Sequence, residues 1–128
     1  MRAAIIEDEP LARLELRRLL APHPTVEIVG EAANIDDAKK LIHATSPDLL
    51  FLDIHMPGGT GFDLLEQLEH VPAVIFTTAY DEHAVRAFEI DAIDYLLKPI
   101  EPERLADAIG RMQATTAARA NKQVTQDI

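Results

Sequence analysis

The stretch Leu49-Leu50-Phe51-Leu52-Asp53, followed by Ile54-His55-Met56-Pro57-Gly58-Gly59, decides how the rest of the chain reads. A continuous apolar run with turn residues after it fits a parallel strand covered on both faces. Its last residue is a carboxylate. Ligands of open α/β sheets bind outside the carboxyl ends of the strands, so Asp53 stands where chemistry is expected. Three further runs end in functional groups: Ala3-Ala4-Ile5-Ile6 in Glu7-Asp8-Glu9, Ala73-Val74-Ile75-Phe76 in Thr77-Thr78, and Tyr95-Leu96-Leu97 in Lys98-Pro99. Acid, acid, hydroxyl and ammonium delivered to one sheet edge point to magnesium-assisted phosphoryl transfer.

Working outward, strand-like runs near residues 3–7, 27–32, 49–53, 73–77 and 93–97 alternate with helix-period segments, the pattern of parallel βαβ units with helices on both faces of one sheet. The first helix opens at Pro10, a residue suited to the first helical position, and turns Ala12, Leu16, Leu19 and Leu20 inward. Asn34 is placed to cap the second, whose inner face is Ile35, Ala38, Leu41 and Ile42. Thr60 is placed to cap the third, with Phe62, Leu65 and Leu68 inside, and Asp81 a short fourth that buries Val85 and Phe88. The fifth starts at Pro102 with the stripe Leu105, Ala108, Ile109 and Met112. From Gln113 the stripe fades into a polar, alanine-rich stretch, so residues 1–112 read as one domain and 113–128 as a helix extension or linker toward a further domain.

Composition narrows the function. At 128 residues the chain is long enough for one core. Its 22 acidic and 12 basic side chains leave a formal charge of -10, which repels a nucleic-acid backbone, so DNA is reachable only through a separate domain. The absence of cysteine excludes disulfides, thiol catalysis and cysteine-based zinc sites. No apolar stretch approaches the roughly 20 residues of a membrane span, and Met1 leads directly into a strand, so the expected setting is the cytoplasm with no membrane partner.

Magnesium favours oxygen ligands and is commonly held by one or two carboxylates together with waters and phosphate oxygens. Asp8 and Asp53 can supply direct ligands, Glu7 can hold a coordinated water, and the backbone carbonyl of His55 can complete the set. Lys98 offers a fixed cation and Thr78 a hydroxyl donor on the opposite side of Asp53. In-line transfer needs positioning and neutralisation of the equatorial oxygens, with Asp53 as the nucleophile that forms an acyl phosphate. Gly58, Gly59 and Gly61 match neither the phosphate-loop nor the dinucleotide spacing and read as turn formers beside the site. The histidines at 23, 43, 70 and 83 read as structural.

Four blocks in order, Ile5-Ile6-Glu7-Asp8-Glu9, Leu50-Phe51-Leu52-Asp53-Ile54-His55-Met56-Pro57, Thr78-Ala79 and Asp94-Tyr95-Leu96-Leu97-Lys98-Pro99, resemble the receiver domain of bacterial two-component response regulators. Glu7-Asp8-Glu9-Pro10-Leu11-Ala12-Arg13 and Ala79-Tyr80-Asp81-Glu82-His83-Ala84 look like the receivers attached to LytTR-type DNA-binding domains, the AlgR/LytR-like group. The resemblance implies a flavodoxin-like (βα)5 fold, a doubly wound parallel sheet in the order 2-1-3-4-5, with a cis Lys98-Pro99 bond. It implies that Asp53 accepts phosphate from a sensor histidine kinase, that Glu7 and Asp8 hold Mg2+, that Thr78 and Lys98 contact the phosphoryl group, and that Tyr95 is the switch aromatic. The protein is then a signalling switch whose only chemistry is its own phosphorylation and dephosphorylation. Its output surface is the face of the fourth helix, fifth strand and fifth helix, through which a homodimer can form. Glu7 stands where aspartate is more usual, and its longer arm still reaches a metal-bound water.

Three other readings compete. A magnesium-dependent phosphohydrolase of the haloacid dehalogenase kind needs a second aspartate two residues after the nucleophile, where this chain has His55. A flavodoxin-like cofactor binder needs a hydroxyl-rich loop after the first strand, and Glu7-Asp8-Glu9-Pro10 would repel a flavin phosphate. A stand-alone receiver in a phosphorelay, without DNA-binding output, is the nearest alternative. His55 and Tyr80, each two positions beyond a site residue, are expected to flank the path of attacking water and slow the loss of phosphate.

Overall fold

The computed structural model describes residues 1–80, 87 and 90–126, with side chains through 116. Strands β1 (Arg2–Ile6), β2 (Glu27–Ala32), β3 (Leu49–Asp53), β6 (Ala73–Thr78) and β7 (Asp94–Leu97) form one sheet in the order β2-β1-β3-β6-β7, all pairs parallel. In chain order this is the expected 2-1-3-4-5. A feature absent from the expectation is a two-stranded antiparallel hairpin, β4 (His55–Met56) and β5 (Gly59–Thr60), inside what read as a simple turn. Gly58 at φ 89° turns it, a backbone angle that side chains with a Cβ resist.

Period-2 alternation within the apolar runs divides the core between two faces. Ala4, Ile6, Leu50, Leu52, Val74 and Phe76 point to one side and pack with Ile35, Ala38 and Ile42 of α2 (Ile35–Thr45) and Phe62, Leu64 and Leu65 of α3 (Gly61–Glu66). Ala3, Ile5, Leu49, Phe51 and Ile75 point to the other, against Leu16, Leu19 and Leu20 of α1 (Pro10–Leu20) and Leu105, Ala108, Ile109 and Met112 of the C-terminal helix (Pro102–Gln126). Both neighbours of every central residue are therefore buried, which is why these runs are apolar without interruption.

The helix starts follow local chemistry. The Asn34 side chain accepts the Asp37 N–H at 2.8 Å, and Thr60 and Asp63 form a reciprocal capping box. Helix α3 ends at Glu66, so Leu68 packs from the loop beyond it. The C-terminal helix continues through residue 126, as a prolongation of the last helix would. The expected fourth helix, with its cap Asp81 and inner residues Val85 and Phe88, lies outside the described residues; Ala87 is helical and buried. Among the described residues no helix is long and apolar enough to cross a membrane.

Candidate phosphoacceptor site

Parallel register brings the acidic residues together. Ile6 pairs with Leu52, and Asp53 pairs with Thr77, so the end of β1 lies beside Asp53 and the end of β6 flanks it on the other side. Strand β1 stops at Ile6, but the Glu7 N–H still donates to the Ala32 carbonyl at 2.9 Å and carries the ladder one residue further. Glu7, Asp8 and Asp53 each present a carboxylate oxygen within 4.8 Å of the others. Glu7 and Asp53 are buried, at 4% and 6% exposure, and Asp8 is half-buried.

Lys98 enters from the end of β7, where its N–H donates to the Thr78 carbonyl at 2.7 Å and the following Lys98–Pro99 bond is cis, as expected. The sequence reading put its cation on the far side of Asp53. Here the ammonium bridges the acids, donating to Glu7 Oε1 and, at 3.1 Å, to Asp53 Oδ2. The other Asp53 oxygen, Oδ1, accepts the His55 N–H at 3.2 Å. One ammonium is thus shared by neighbouring carboxylates. Glu7 is held above its ordinary range chiefly by burial and then by its hydrogen bond with Asp53, against the opposing pull of Lys98. For Lys98 burial acts to lower the pKa, but the Glu7 hydrogen bond and the charges of Asp53 and Glu7 outweigh it and the net shift is upward.

The donor set fits a divalent cation. Three carboxylates and one ammonium leave two negative charges unbalanced, the candidate ligands are hard oxygens, and among the described residues the Asp8 carboxylate has no hydrogen-bond or ion-pair partner. A cluster of this kind can hold a metal ion.

Thr78 is fully buried and its Oγ1 accepts the Tyr80 N–H at 3.2 Å. Tyr95 lies beside Phe76 in register, is partly buried against the α2–α3 face, and donates its hydroxyl to the Tyr80 carbonyl. The exposed rings of Tyr80 and His55 meet edge to face with centroids 5.0 Å apart. Two features escaped the sequence reading. Arg13 Nη1 donates to the Glu7 main-chain carbonyl at 2.8 Å, and the buried Asp94 carboxylate takes Arg104 at 3.0 Å and Arg111 at 3.2 Å from the C-terminal helix. The seven-residue spacing of Arg104 and Arg111 was the available signal for the second, since it puts them on one helix face. A cavity of about 320 Å³ between α2 and the loop before β6 contains none of the site residues.

Comparison with known proteins agrees with this architecture. The model of the response regulator receiver domain matches residues 3–110, and the chain belongs to that family. It is 48% identical over 115 residues to the transcriptional regulatory protein BtsR of Salmonella typhimurium, covering 88% of this chain and 48% of BtsR. It is 46% identical over 112 residues to the sensory transduction protein LytT of Enterococcus faecalis, covering 85% of this chain and 46% of LytT. The chain therefore spans about half the length of the curated relatives it matches. Among solved structures it is similar to the response regulatory domain of mrkE from Klebsiella pneumoniae, at 40% identity and a TM-score of 0.77, covering 92% of this chain and 97% of that one.

Proposed function

We propose that residues 1–112 form the phosphoacceptor unit of a two-component response regulator, with Asp53 as the residue phosphorylated and a sensor histidine kinase as donor. The observation that carries this reading is the buried Asp53 at the end of β3, held by Lys98 beside Glu7 and an Asp8 that has no partner among the described residues. An Asp53 oxygen attacks phosphorus while the bond from phosphorus to the donor breaks in line; the electron pair leaves with the donor imidazole, and an acyl phosphate forms. Asp8 and Asp53 would hold Mg2+ directly, with Glu7 through water and the His55 carbonyl completing the set. The ion supplies neutralisation of charge on the transferring group. Lys98 leaves Glu7 to meet the new phosphoryl oxygens, and Thr78 turns its hydroxyl toward them in place of accepting from Tyr80. Tyr95, bonded to the Tyr80 carbonyl, would transmit that movement to the output face.

The relatives support an output reading over a stand-alone relay protein: BtsR is by name a transcriptional regulator and is about twice as long as the matched region. Residues 113–128 would then lead toward a LytTR-type DNA-binding domain, in a cytoplasmic protein with no membrane partner. Phosphorylation would promote a homodimer through the fourth helix, β7 and the C-terminal helix. Ile90, 42% exposed, borders a cavity with Phe62, Leu65 and Val74 on the α3 side and Ile93 packs into the core, so neither supplies an apolar contact for that face; Val85, Arg86, Phe88 and Glu89 lie outside the described residues.

Intact-mass measurement after treatment with acetyl phosphate tests the central step. The wild type gains one phosphoryl group only with Mg2+, and Asp53→Ala gains none. Phosphate found mainly on another residue sinks the assignment. Sedimentation with and without beryllium fluoride tests the dimer, which an unchanged monomer at high concentration excludes.

A further inference from the structure

The helices that follow the first three strands of the sheet start by different means. Helix α3 starts with a capping box and α2 with a side-chain cap, but α1, which follows the acidic run directly, has Glu9 at its N-cap with no side-chain hydrogen bond and Pro10 at its opening position. The Glu7-Asp8-Glu9 turn therefore has no N-cap side chain, and its one internal side-chain contact is the Glu9 N–H donating to Glu7 Oε2 at 3.3 Å. Its carboxylates also repel one another, and Asp8, unpartnered among the described residues, has no contact of its own to orient it. Besides the Glu9 N–H contact and the Lys98 bond to the Glu7 side chain, the turn is fixed through its backbone. The Glu7 N–H is bonded to the Ala32 carbonyl at 2.9 Å, and the Glu7 carbonyl accepts Arg13 Nη1 at 2.8 Å.

That carbonyl belongs to the peptide plane shared by Glu7 and Asp8. Planarity of the peptide means that fixing the carbonyl direction fixes the N–H of Asp8 and restricts the direction in which the Asp8 side chain leaves the chain. Arg13 reaches it from one turn into α1, with its side chain 21% exposed and Nε 3.9 Å from Glu31, a carboxylate that Arg17 engages more closely at 2.7 Å. The guanidinium thus lies beside an acidic site yet makes its short hydrogen bond to a main-chain oxygen rather than to one of the three carboxylates.

We propose that Arg13 is a positioning residue of the metal site: by holding the Glu7 carbonyl it orients the Glu7–Asp8 peptide and so sets Asp8 for a divalent cation. The inference rests on the phosphoacceptor reading above. It also has a sign that separates it from simple electrostatics. A nearby cation repels a metal ion, so loss of Arg13 charge alone would tighten metal binding. Loss of a group that orients a ligand weakens it, commonly by 10-fold or more.

The test is calorimetric titration of Mg2+ into the wild type, Arg13→Ala, Arg13→Lys, Arg13→Gln and Arg17→Ala, with hydrogen exchange of the Asp8 and Glu9 amides followed in chelator. Arg13→Ala is expected to weaken Mg2+ binding about 10-fold and to speed exchange in the turn before any metal is added. Lysine or glutamine, each still able to donate to the carbonyl, recovers much of the loss, the neutral glutamine showing that the hydrogen bond rather than the charge matters. Arg17→Ala, which removes the Glu31 pair and leaves the carbonyl contact, stays within about 2-fold of wild type, below the range of an orienting contact. If Arg13→Ala does not fold, the lysine and glutamine variants carry the test, and loss of binding in both overturns the proposal. Unchanged or tighter binding in Arg13→Ala overturns it while the phosphoacceptor reading stands, as does an equal loss in Arg17→Ala. A wild type that binds no Mg2+ overturns that reading and this inference with it.

Discussion

The two edges of the same sheet treat charge in opposite ways. At the edge where the strands begin, the charged groups of Met1, Arg2 and Asp48 meet partners: the Arg2 N–H donates to Asp48 Oδ2 at 2.8 Å, the Arg2 guanidinium donates to the Thr45 and Ser46 carbonyls at the end of α2, and the N-terminal ammonium donates to the Thr25 carbonyl at 2.7 Å. At the edge where the strands end, Glu7, Asp8 and Asp53 crowd together, and Lys98 is an ammonium shared by Glu7 and Asp53 only. The first arrangement closes the fold. The second leaves charge unbalanced and costs stability in the absence of a bound cation, as expected of a site kept ready for a ligand.

The largest difference between the edges should come from Lys98→Ala. Removing the shared ammonium leaves partly buried carboxylates facing one another, and the chain in chelator should lose about 2–3 kcal/mol, discounted from the fully buried case because Lys98 is 24% exposed. Mg2+ should restore more stability to the variant than it adds to the wild type. Thermal unfolding with and without the metal checks this, and an equal metal response in both proteins breaks the comparison. At the opposite edge, Asp48→Ala removes one exposed hydrogen bond and should cost about 1 kcal/mol, with no dependence on Mg2+.

A smaller effect should follow pH through Glu7. A carboxyl group whose folded pKa is raised contributes stability that is fully present below its ordinary value of 4.5 and is lost as pH rises through the folded value. In chelator, the wild type should therefore lose stability relative to Glu7→Gln as pH climbs from about 4.5 to 7. A difference in melting temperature that stays flat across that window would remove Glu7 as a source of cost at this edge.

The smallest expected change is kinetic. Tyr80 and His55 meet edge to face, and if this pair flanks the path of attacking water, Tyr80→Ala should shorten the life of the phosphoryl group severalfold with little change in melting temperature. An unchanged decay rate after acetyl phosphate is removed would dispose of the shielding argument.

Much of this molecule is legible in local sequence because the local chemistry is strong. Uninterrupted apolar runs marked the central strands, Asn34 and Thr60 marked helix starts where both side chains do cap, and the stripe Leu105, Ala108, Ile109 and Met112 marked the inward face of the last helix, where all four are buried. Glu7, Asp8, Asp53 and Lys98 were visible as strand-end groups because a period-2 strand with both faces covered has no buried place for a charge except at its end. The β4–β5 hairpin was not visible: two residues on each side of Pro57-Gly58 are too few to show a period.

What tertiary structure alone decided is how those end groups share their charges. Residue types and strand order were enough to bring acid and ammonium to one edge, since parallel neighbours end together. Only the packed sheet determined that Lys98 spans Glu7 and Asp53, that Asp8 lacks a partner among the described residues, and that Arg13 turns to the Glu7 carbonyl while Arg17 takes Glu31. These choices depend on separations between atoms far apart in the chain, 91 positions for Glu7 and Lys98, and hydrogen-bond strength changes over a few tenths of an ångström. Sequence patterning acts at the scale of a helical turn or a strand pair, so it can place charges on an edge but cannot choose their partners.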